Sequence, residues 1–362
     1  MTRTVQIVGA GLLGTSVGLA LARSEWEVWV ADADPAAERL AGELGSGTPG
    51  WGAGEPDLVL VCVPPSATPE VMHRVMRLYP SATISDVLSV KTYPQLEAER
   101  LGCDRRFVGG HPMAGRERSG PVAAQADLFE ARPWAICPGS RAEPRRVALV
   151  EQLVRDCGAD PVVVDAATHD EAVALVSHLP QMAASAVAGQ LSGADPLALS
   201  LAGQGLRDTV RIAGSDPALW ADIVTANARA LAAPVRRLAT ELSIVADALE
   251  KAADDQVEST TSRNVDKAVE LFFEVGRRGF AAIPGKHGAP PAEYTVIPVV
   301  IPDEPGALAS LFTTVAKAGA SVEDIALEHS PGHPVGVIEL SVVPADAPGL
   351  VQALHADGWS SH

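Results

Sequence analysis

A histidine followed by proline and a short flexible step, His111-Pro112-Met113-Ala114-Gly115, stands just ahead of the charged triplet Arg116, Glu117 and Arg118. An imidazole titrates near neutral pH, so it can take a proton from an alcohol while hydride leaves the same carbon. Such chemistry needs a hydride acceptor, and about a hundred residues earlier the chain offers a place for one. Gly9-Ala10-Gly11-Leu12-Leu13-Gly14 has the spacing G-x-G-x-x-G, after a strand-like run and before a helix-like one. In that setting Gly9 permits the tight turn, Gly11 lets backbone approach a pyrophosphate, and Gly14 lets helix and strand pack closely. Leu12 and Leu13 lie within this loop, and the N-terminus of the helix that follows faces the phosphates. Asp32 follows Gly14 by 18 residues, at the end of the second strand-like run. A carboxylate there accepts from a ribose 2′-hydroxyl and repels a 2′-phosphate, so NAD is expected over NADP. Asp34 is the neighbouring substitute. A glycine-rich turn with a surface aspartate is the plainer alternative.

These groups need a frame. Residues 1–165 alternate strand-like and helix-like runs, the pattern of a Rossmann-type parallel α/β sheet. Strands are expected at Thr4–Val8, Glu27–Ala31, Leu58–Val63, Thr83–Asp86, Phe107–Gly109, Trp134–Cys137 and Pro161–Val164, with a helix over Gly14–Arg23. The apolar run before Pro64-Pro65 suits a buried central strand. Residues 166–282 read as an all-α domain, in which Val235, Leu238, Leu242, Val245 and Leu249 form one apolar stripe. A stripe of this kind commonly meets a partner subunit, so a homodimer is expected. The Pro- and Gly-rich segment 283–293 reads as a linker. Residues 294–362 read as a small α+β module, with strands at Tyr294–Ile301, Val322–Glu328 and Val335–Val343 and helices at Pro305–Ala318 and Gly349–His355. The module is acidic, with one lysine against eight aspartates and glutamates.

A chain of 362 residues suggests two or three domains. Its net charge of −17 argues against nucleic acid or anionic membrane as partners through the overall field. An anionic substrate would then need a local basic pocket. Cys62, Cys103, Cys137 and Cys157 lack the close spacing of metal sites, so free buried thiols in a reducing cytoplasm are expected and no metal site. Val5–Ala22 is apolar like an export signal, but Gly9, Gly11 and Gly14 interrupt it. A strand, turn and helix fit better, with no export and no membrane span.

The glycine loop with Asp32, Asp86-Val87-Leu88-Ser89-Val90-Lys91, His111–Gly115, Ser177-His178-Leu179-Pro180 and Arg207-Asp208-Thr209-Val210-Arg211-Ile212-Ala213 occur in one order. That order resembles the prephenate and arogenate dehydrogenases over residues 1 to about 285. The tail, with Asp303-Glu304-Pro305-Gly306-Ala307-Leu308, resembles an ACT regulatory domain, and Pro284-Gly285-Lys286-His287-Gly288 resembles the joining segment of such chains. The resemblance implies oxidative decarboxylation of prephenate to 4-hydroxyphenylpyruvate with NAD as hydride acceptor. It implies that His111 draws the proton from the ring hydroxyl, with Ser89 orienting it. His178, Arg211, Arg207, Gln181 and Trp220 would bind substrate. Tyrosine would be the effector of the tail, near Asp303 and Gly306, with Asp303 capping the helix that follows.

Each role has a plain structural counterpart. Ser89 could cap a helix, Lys91 could be solvated, and His178 could be a core histidine satisfied by the carbonyl that Pro180 frees at Val176. Arg207 could pair with Asp208, Trp220 could simply pack, and the tail could dimerise without binding anything. Gln181 departs from the family, many of whose members have a second histidine there. That leaves arogenate open as substrate. A β-hydroxyacid dehydrogenase or imine reductase lacks these markers. A non-catalytic NAD and amino-acid sensor is the remaining alternative.

Overall fold

The computed structural model describes residues 2–115, 119–258, 267–283, 294–329 and 335–361. The triplet Arg116, Glu117 and Arg118, the linker sequence 284–293 and the Pro284–Gly288 motif within it lie outside these residues. The chain forms two compact units, Met1–Thr240 and Glu241–His362.

The first unit is built on eight strands: β1 (Arg3–Val8), β2 (Trp26–Ala31), β3 (Thr48–Pro49), β4 (Leu58–Val61), β5 (Thr83–Asp86), β6 (Phe107–Pro112), β7 (Pro133–Pro138) and β8 (Asp160–Val163). Their order is β3-β2-β1-β4-β5-β6-β7-β8. Helices α1 (Leu12–Leu21), α2 (Pro35–Glu43), α3 (Thr68–Leu78), α4 (Thr92–Leu101) and α5 (Pro144–Asp156) make the connections. This is the doubly wound order, whose direction of winding reverses between β1 and β4 and opens a crevice at their carboxyl ends. Every residue of β4 is buried, as its unbroken apolar run requires. Apolar side chains of β1, β2, α1 and α5 form one core layer, and β4, β5, α3 and α4 supply a second.

The sheet is not wholly parallel, which corrects the sequence expectation. β7 runs antiparallel to β6, with His111 opposite Ala135 and Pro112 opposite Trp134, and β8 then runs parallel to β7. The cause lies in the connection. Among its described residues the stretch 113–132 holds one short 3₁₀ turn, Pro121–Ala123, whereas a parallel neighbour needs a longer crossover, usually a helix. β6 also runs three residues past its expected end, which carries His111 into the sheet. Pro112, as the last residue, is tolerated there because it ends the strand.

Helices α6 (Ala166–Val173) and α7 (Leu179–Gln190) follow, joined by a π-helical turn over Ala174–His178. Pro180 explains the turn. It cannot donate to the carbonyl of Val176, and its ring would press on that carbonyl, so the helix widens just ahead of it. Next come α8 (Pro196–Ser200), α9 (Gln204–Val210), a 3₁₀ turn Arg211–Gly214, α10 (Pro217–Ala226) and α11 (Ala228–Glu258). Along α11 the expected stripe is half-buried at Val235, Leu238 and Val245, and exposed at Leu242 and Leu249.

In the second unit α12 (Lys267–Ala281) precedes β9 (Thr295–Pro302), α13 (Ala307–Ala318), β10 (Val322–His329), β11 (Val335–Val342), α14 (Ala347–Ala356) and β12 (Ser360–Ser361). The sheet order is β10-β11-β9-β12, antiparallel throughout, a βαββαβ module with its own apolar core. The two-residue strand β12 has too short an apolar pattern to read from sequence. Asp303 does not cap α13: the cap position is Gly306, at φ +92°, and it carries no side chain to do so.

Candidate active site

The glycine loop has the shape a dinucleotide needs. Gly9 sits at φ +112°, and a Cβ there would lie 2.3 Å from the Cys62 carbonyl oxygen. At Gly14 a Cβ would lie 2.0 Å from the Gly9 carbonyl oxygen. Both positions require glycine. Gly11 differs: nothing described lies within 4 Å of its Cβ position, so backbone there is open to an approaching group. Gly11 precedes α1 and supplies no side-chain cap, which leaves the first-turn amides of Leu12 and Leu13 for an outside acceptor. Asp32 follows β2, and its carboxylate accepts from the amides of Ala10 (2.6 Å) and Asp34 (2.7 Å). Asp34 is committed elsewhere, as the cap of α2 through the Ala36 amide. Turn, opening, first-turn amides and carboxylate together fit an adenine dinucleotide.

His111 lies at the centre of a buried polar network. Its Nδ1 is 2.9 Å from His169 Nε2, with the rings edge to face at 79°. His169 Nδ1 is 2.9 Å from Asp170 Oδ1. Asp170 also accepts from the backbone amides of Lys91 (2.7 Å) and Thr92 (2.8 Å), so it caps α4 from another helix. Its backbone carbonyl accepts from Asn227 Nδ2, which lies 3.0 Å from His178 Nδ1. His178 is fully buried, and its Nε2 has no hydrogen-bond partner among the described residues. Trp220 stands edge to face with it at 6.1 Å between ring centres.

Beneath this network Lys91 and Asp86 form an ion pair with both side chains fully buried. This corrects the solvated alternative for Lys91. The ammonium also donates to the Gly110 carbonyl, and Asp86 accepts from the amides of Leu88 and Gly110 (both 3.1 Å). The pair thus ties the loop 87–91 to the residue before His111.

Burial, then the nearby Lys91, His169 and His178, hold the His111 imidazole well below the usual histidine range. Burial likewise lowers His178, to about 4, against the pull of Asp170. Burial would raise Asp170, but hydrogen bonds from His169, Thr92 and Lys91 keep it below the ordinary carboxylate value. Burial raises Asp86 despite Lys91. Both histidines are therefore neutral near pH 7, and Asp170 is ionised. The four cysteines are unpaired thiols, with burial pushing Cys137 up to about 12 and Cys103 to about 11.

Ser89 does not cap α4, since Asp170 takes that place. Its buried hydroxyl has no partner among the described residues. The His178 ring pairs with Asn227 and not with the Val176 carbonyl. Gln181 Nε2 donates to the Ile212 carbonyl at 2.9 Å, which ties α7 to the turn that begins with Arg211. Arg207 and Arg211 are both exposed. His169, Asp170, Asn227 and the buried character of Lys91 were not read from sequence. The His-Asp dipeptide on the apolar helix A-A-T-H-D-E-A-V-A-L-V was the available signal.

Comparison with known proteins places this geometry. Residues 17–163 match the family model described as "Prephenate dehydrogenase, nucleotide-binding domain", and residues 165–261 match "Prephenate dehydrogenase, dimerization domain". A probable prephenate dehydrogenase of Streptomyces niveus, NovF, is 35% identical over 99% of both chains. The prephenate dehydrogenase of Bacillus subtilis is 26% identical over 94% of this chain and 92% of its own. Among solved structures, prephenate dehydrogenase from A. aeolicus with hydroxyphenyl propionate and NAD+ superposes with TM-score 0.67 and 26% identity. It covers 77% of this chain and 98% of its own. Synechocystis arogenate dehydrogenase gives TM-score 0.61 and 25% identity over 78% of this chain and all of its own.

Proposed function

The chain belongs to the prephenate dehydrogenase family, and from that premise we propose how its own side chains carry out an NAD-dependent oxidative decarboxylation of prephenate. The observation that carries the assignment is His111. It is a buried imidazole kept neutral by its surroundings, with Nδ1 engaged and Nε2 without a partner among the described residues. Gly9, Gly11, Gly14, the α1 amides of Leu12 and Leu13, and Asp32 would hold NAD, which when bound would supply the hydride acceptor. His111 Nε2 takes the proton of the ring hydroxyl as hydride leaves the same carbon. Loss of the ring carboxylate as CO2 then gives a phenolate, and the imidazolium returns its proton to that oxygen. Protons, carbon and electrons balance, and the aromatic ring drives the sequence. Ser89 offers its unpaired hydroxyl to the same oxygen. Arg211 and Arg207 supply cationic charge for carboxylates in a chain that is acidic overall. His178 Nε2 and Trp220 border the same network.

The exposed apolar residues of α11 and α12, among them Leu242, Leu249, Phe273 and Phe280, suit a homodimer through the helices. Ala166–Gln190 is long and apolar enough to cross a membrane by length and hydropathy alone. It carries His169, Asp170, His178 and Gln181, all bonded within the first unit, which suits a core helix of a cytoplasmic enzyme. The βαββαβ module is that of an ACT-like domain, with tyrosine, whose precursor the reaction makes, as effector.

Arogenate is the second reading, and Gln181 favours it. Its amide nitrogen is spent on Ile212, so its oxygen is the atom left to accept from a substrate ammonium. The test is NADH formation by the full chain with NAD+ and either prephenate or arogenate, with and without tyrosine. Turnover of prephenate supports the first reading. Turnover of arogenate alone supports the second, and turnover of neither overturns both.

A further inference from the structure

We infer that His169, backed by Asp170, is a positioning residue that fixes the tautomer of His111, so that Nδ1 carries the hydrogen and Nε2 presents its lone pair to the substrate hydroxyl. The inference rests on His111 being the proton acceptor.

The argument follows from which atoms can donate. An ionised carboxylate only accepts, and Asp170 Oδ1 stands 2.9 Å from His169 Nδ1. His169 therefore carries its hydrogen on Nδ1. In a neutral ring that leaves Nε2 as an acceptor. Nε2 is 2.9 Å from His111 Nδ1, so His111 must be the donor in that bond. Its own Nε2 is then the basic nitrogen. The opposite tautomer would set two lone pairs against each other across a buried contact, which costs the unmade bond and the desolvation of both groups.

The carboxylate that begins this chain is itself fixed. The amides of Lys91 and Thr92 at the start of α4 hold both its oxygens, and its backbone carbonyl is held by Asn227. Its orientation therefore comes from the fold and does not depend on a substrate. The same alignment serves the charged state. When His111 takes the proton, its Nδ1–H points along the line to His169 and the Asp170 charge. The Lys91 ammonium also bears on His111, through its bond to the Gly110 carbonyl and partnered by Asp86, and His178 faces the network from the π turn. His169, held by Asp170, thus keeps an acceptor for His111 Nδ1–H before and after proton transfer.

Asp170 is a poor site for a test, because it also caps α4. His169 is the better one. His169→Phe keeps a flat ring and removes both polar atoms; His169→Gln keeps a donor toward Asp170 and an acceptor toward His111. The expected result with prephenate is a fall in kcat of at least about 30-fold for the Phe variant, on the scale seen when a partner that orients a reacting group is lost. KM and the NAD dissociation constant should stay within about threefold. The Gln variant should recover to within about tenfold of the parent.

Nitrogen NMR of the histidine-labelled parent gives an independent readout, which should show His111 with hydrogen on Nδ1. Finding it on Nε2 would overturn the inference even if no variant folds. So would a Phe variant with kcat within threefold of the parent. His111→Asn, measured alongside, separates the two layers. If it keeps turnover, the assignment of His111 fails; if it is inactive while His169→Phe is not, only the present inference fails.

Discussion

Replacing Lys91 with methionine should unmask a buried charge whose cost depends on pH in a calculable way. In the parent, Lys91 and Asp86 are both fully buried and paired. Methionine keeps most of the volume but leaves the Asp86 carboxylate with only two backbone amides for partners. Removing one member of such a pair costs about 3–5 kcal/mol, out of a total stability of about 5–15. The carboxylate has an escape, which is to take up a proton. That costs about 1.36 kcal/mol for each pH unit above an unfolded value near 3.9, hence about 4 kcal/mol at pH 7 and about 1.5 at pH 5.

A folded value raised above the unfolded one gives stability that is complete below about pH 4 and lost as pH rises toward the folded value. Asp86 is already raised in the parent, so the extra loss of about 1.4 kcal/mol per unit appears only between the parent's folded value and the higher one of the variant. Denaturant midpoints at several pH values measure this. Adding Asp86→Asn should flatten the slope. A single variant within 1 kcal/mol of the parent at pH 7, or a loss independent of pH, would refute the claim that Asp86 is an ionised, buried partner.

Three further outcomes are expected. His111→Asn should lower kcat by about 10²–10⁴-fold while NAD still binds, as judged by titration calorimetry. Because burial and Lys91 keep His111 well below the ordinary range, the base stays neutral in mild acid. The acid limb of kcat/KM should then fall below about pH 6.5, and a break at or above that value would contradict the burial argument. Gly14→Ala, whose methyl would meet the Gly9 carbonyl at 2.0 Å, should destabilise the fold by about 1–3 kcal/mol or more. Gly11→Ala has room to fold normally but should weaken NAD binding at least tenfold, and equal effects of the two would undo the distinction drawn between them.

Much of this site could be read from residue types. The glycine loop, Asp32, the strand Thr83–Asp86 and His111 stood out because their meaning is local: a turn, a strand end, a titratable ring beside proline. What could not be read depends on distance along the chain. His169 meets His111 across 58 positions, and Asp170 caps a helix 79 positions earlier. No periodicity encodes such pairs. Lys91 could be taken as solvated because burial is a tertiary property. The antiparallel β7 escaped for a related reason, since strand direction is set by the connection and not by the apolar run itself. Asp303 was given a capping role from its motif's resemblance to an ACT domain, while the turn places Gly306 there.

Asp170 has a genetic consequence. One carboxylate closes the start of α4 and aligns the ring that faces His111. Loss of that side chain produces two unrelated defects, one in the amount of folded enzyme and one in its specific activity. A second-site revertant that restores only the helix start would bring back abundance without turnover. One that restores only the ring would act on a protein too scarce to select. The position is therefore pleiotropic, and under drift it should change less readily than Asn227 or Gln181, each of which hydrogen-bonds through one amide group.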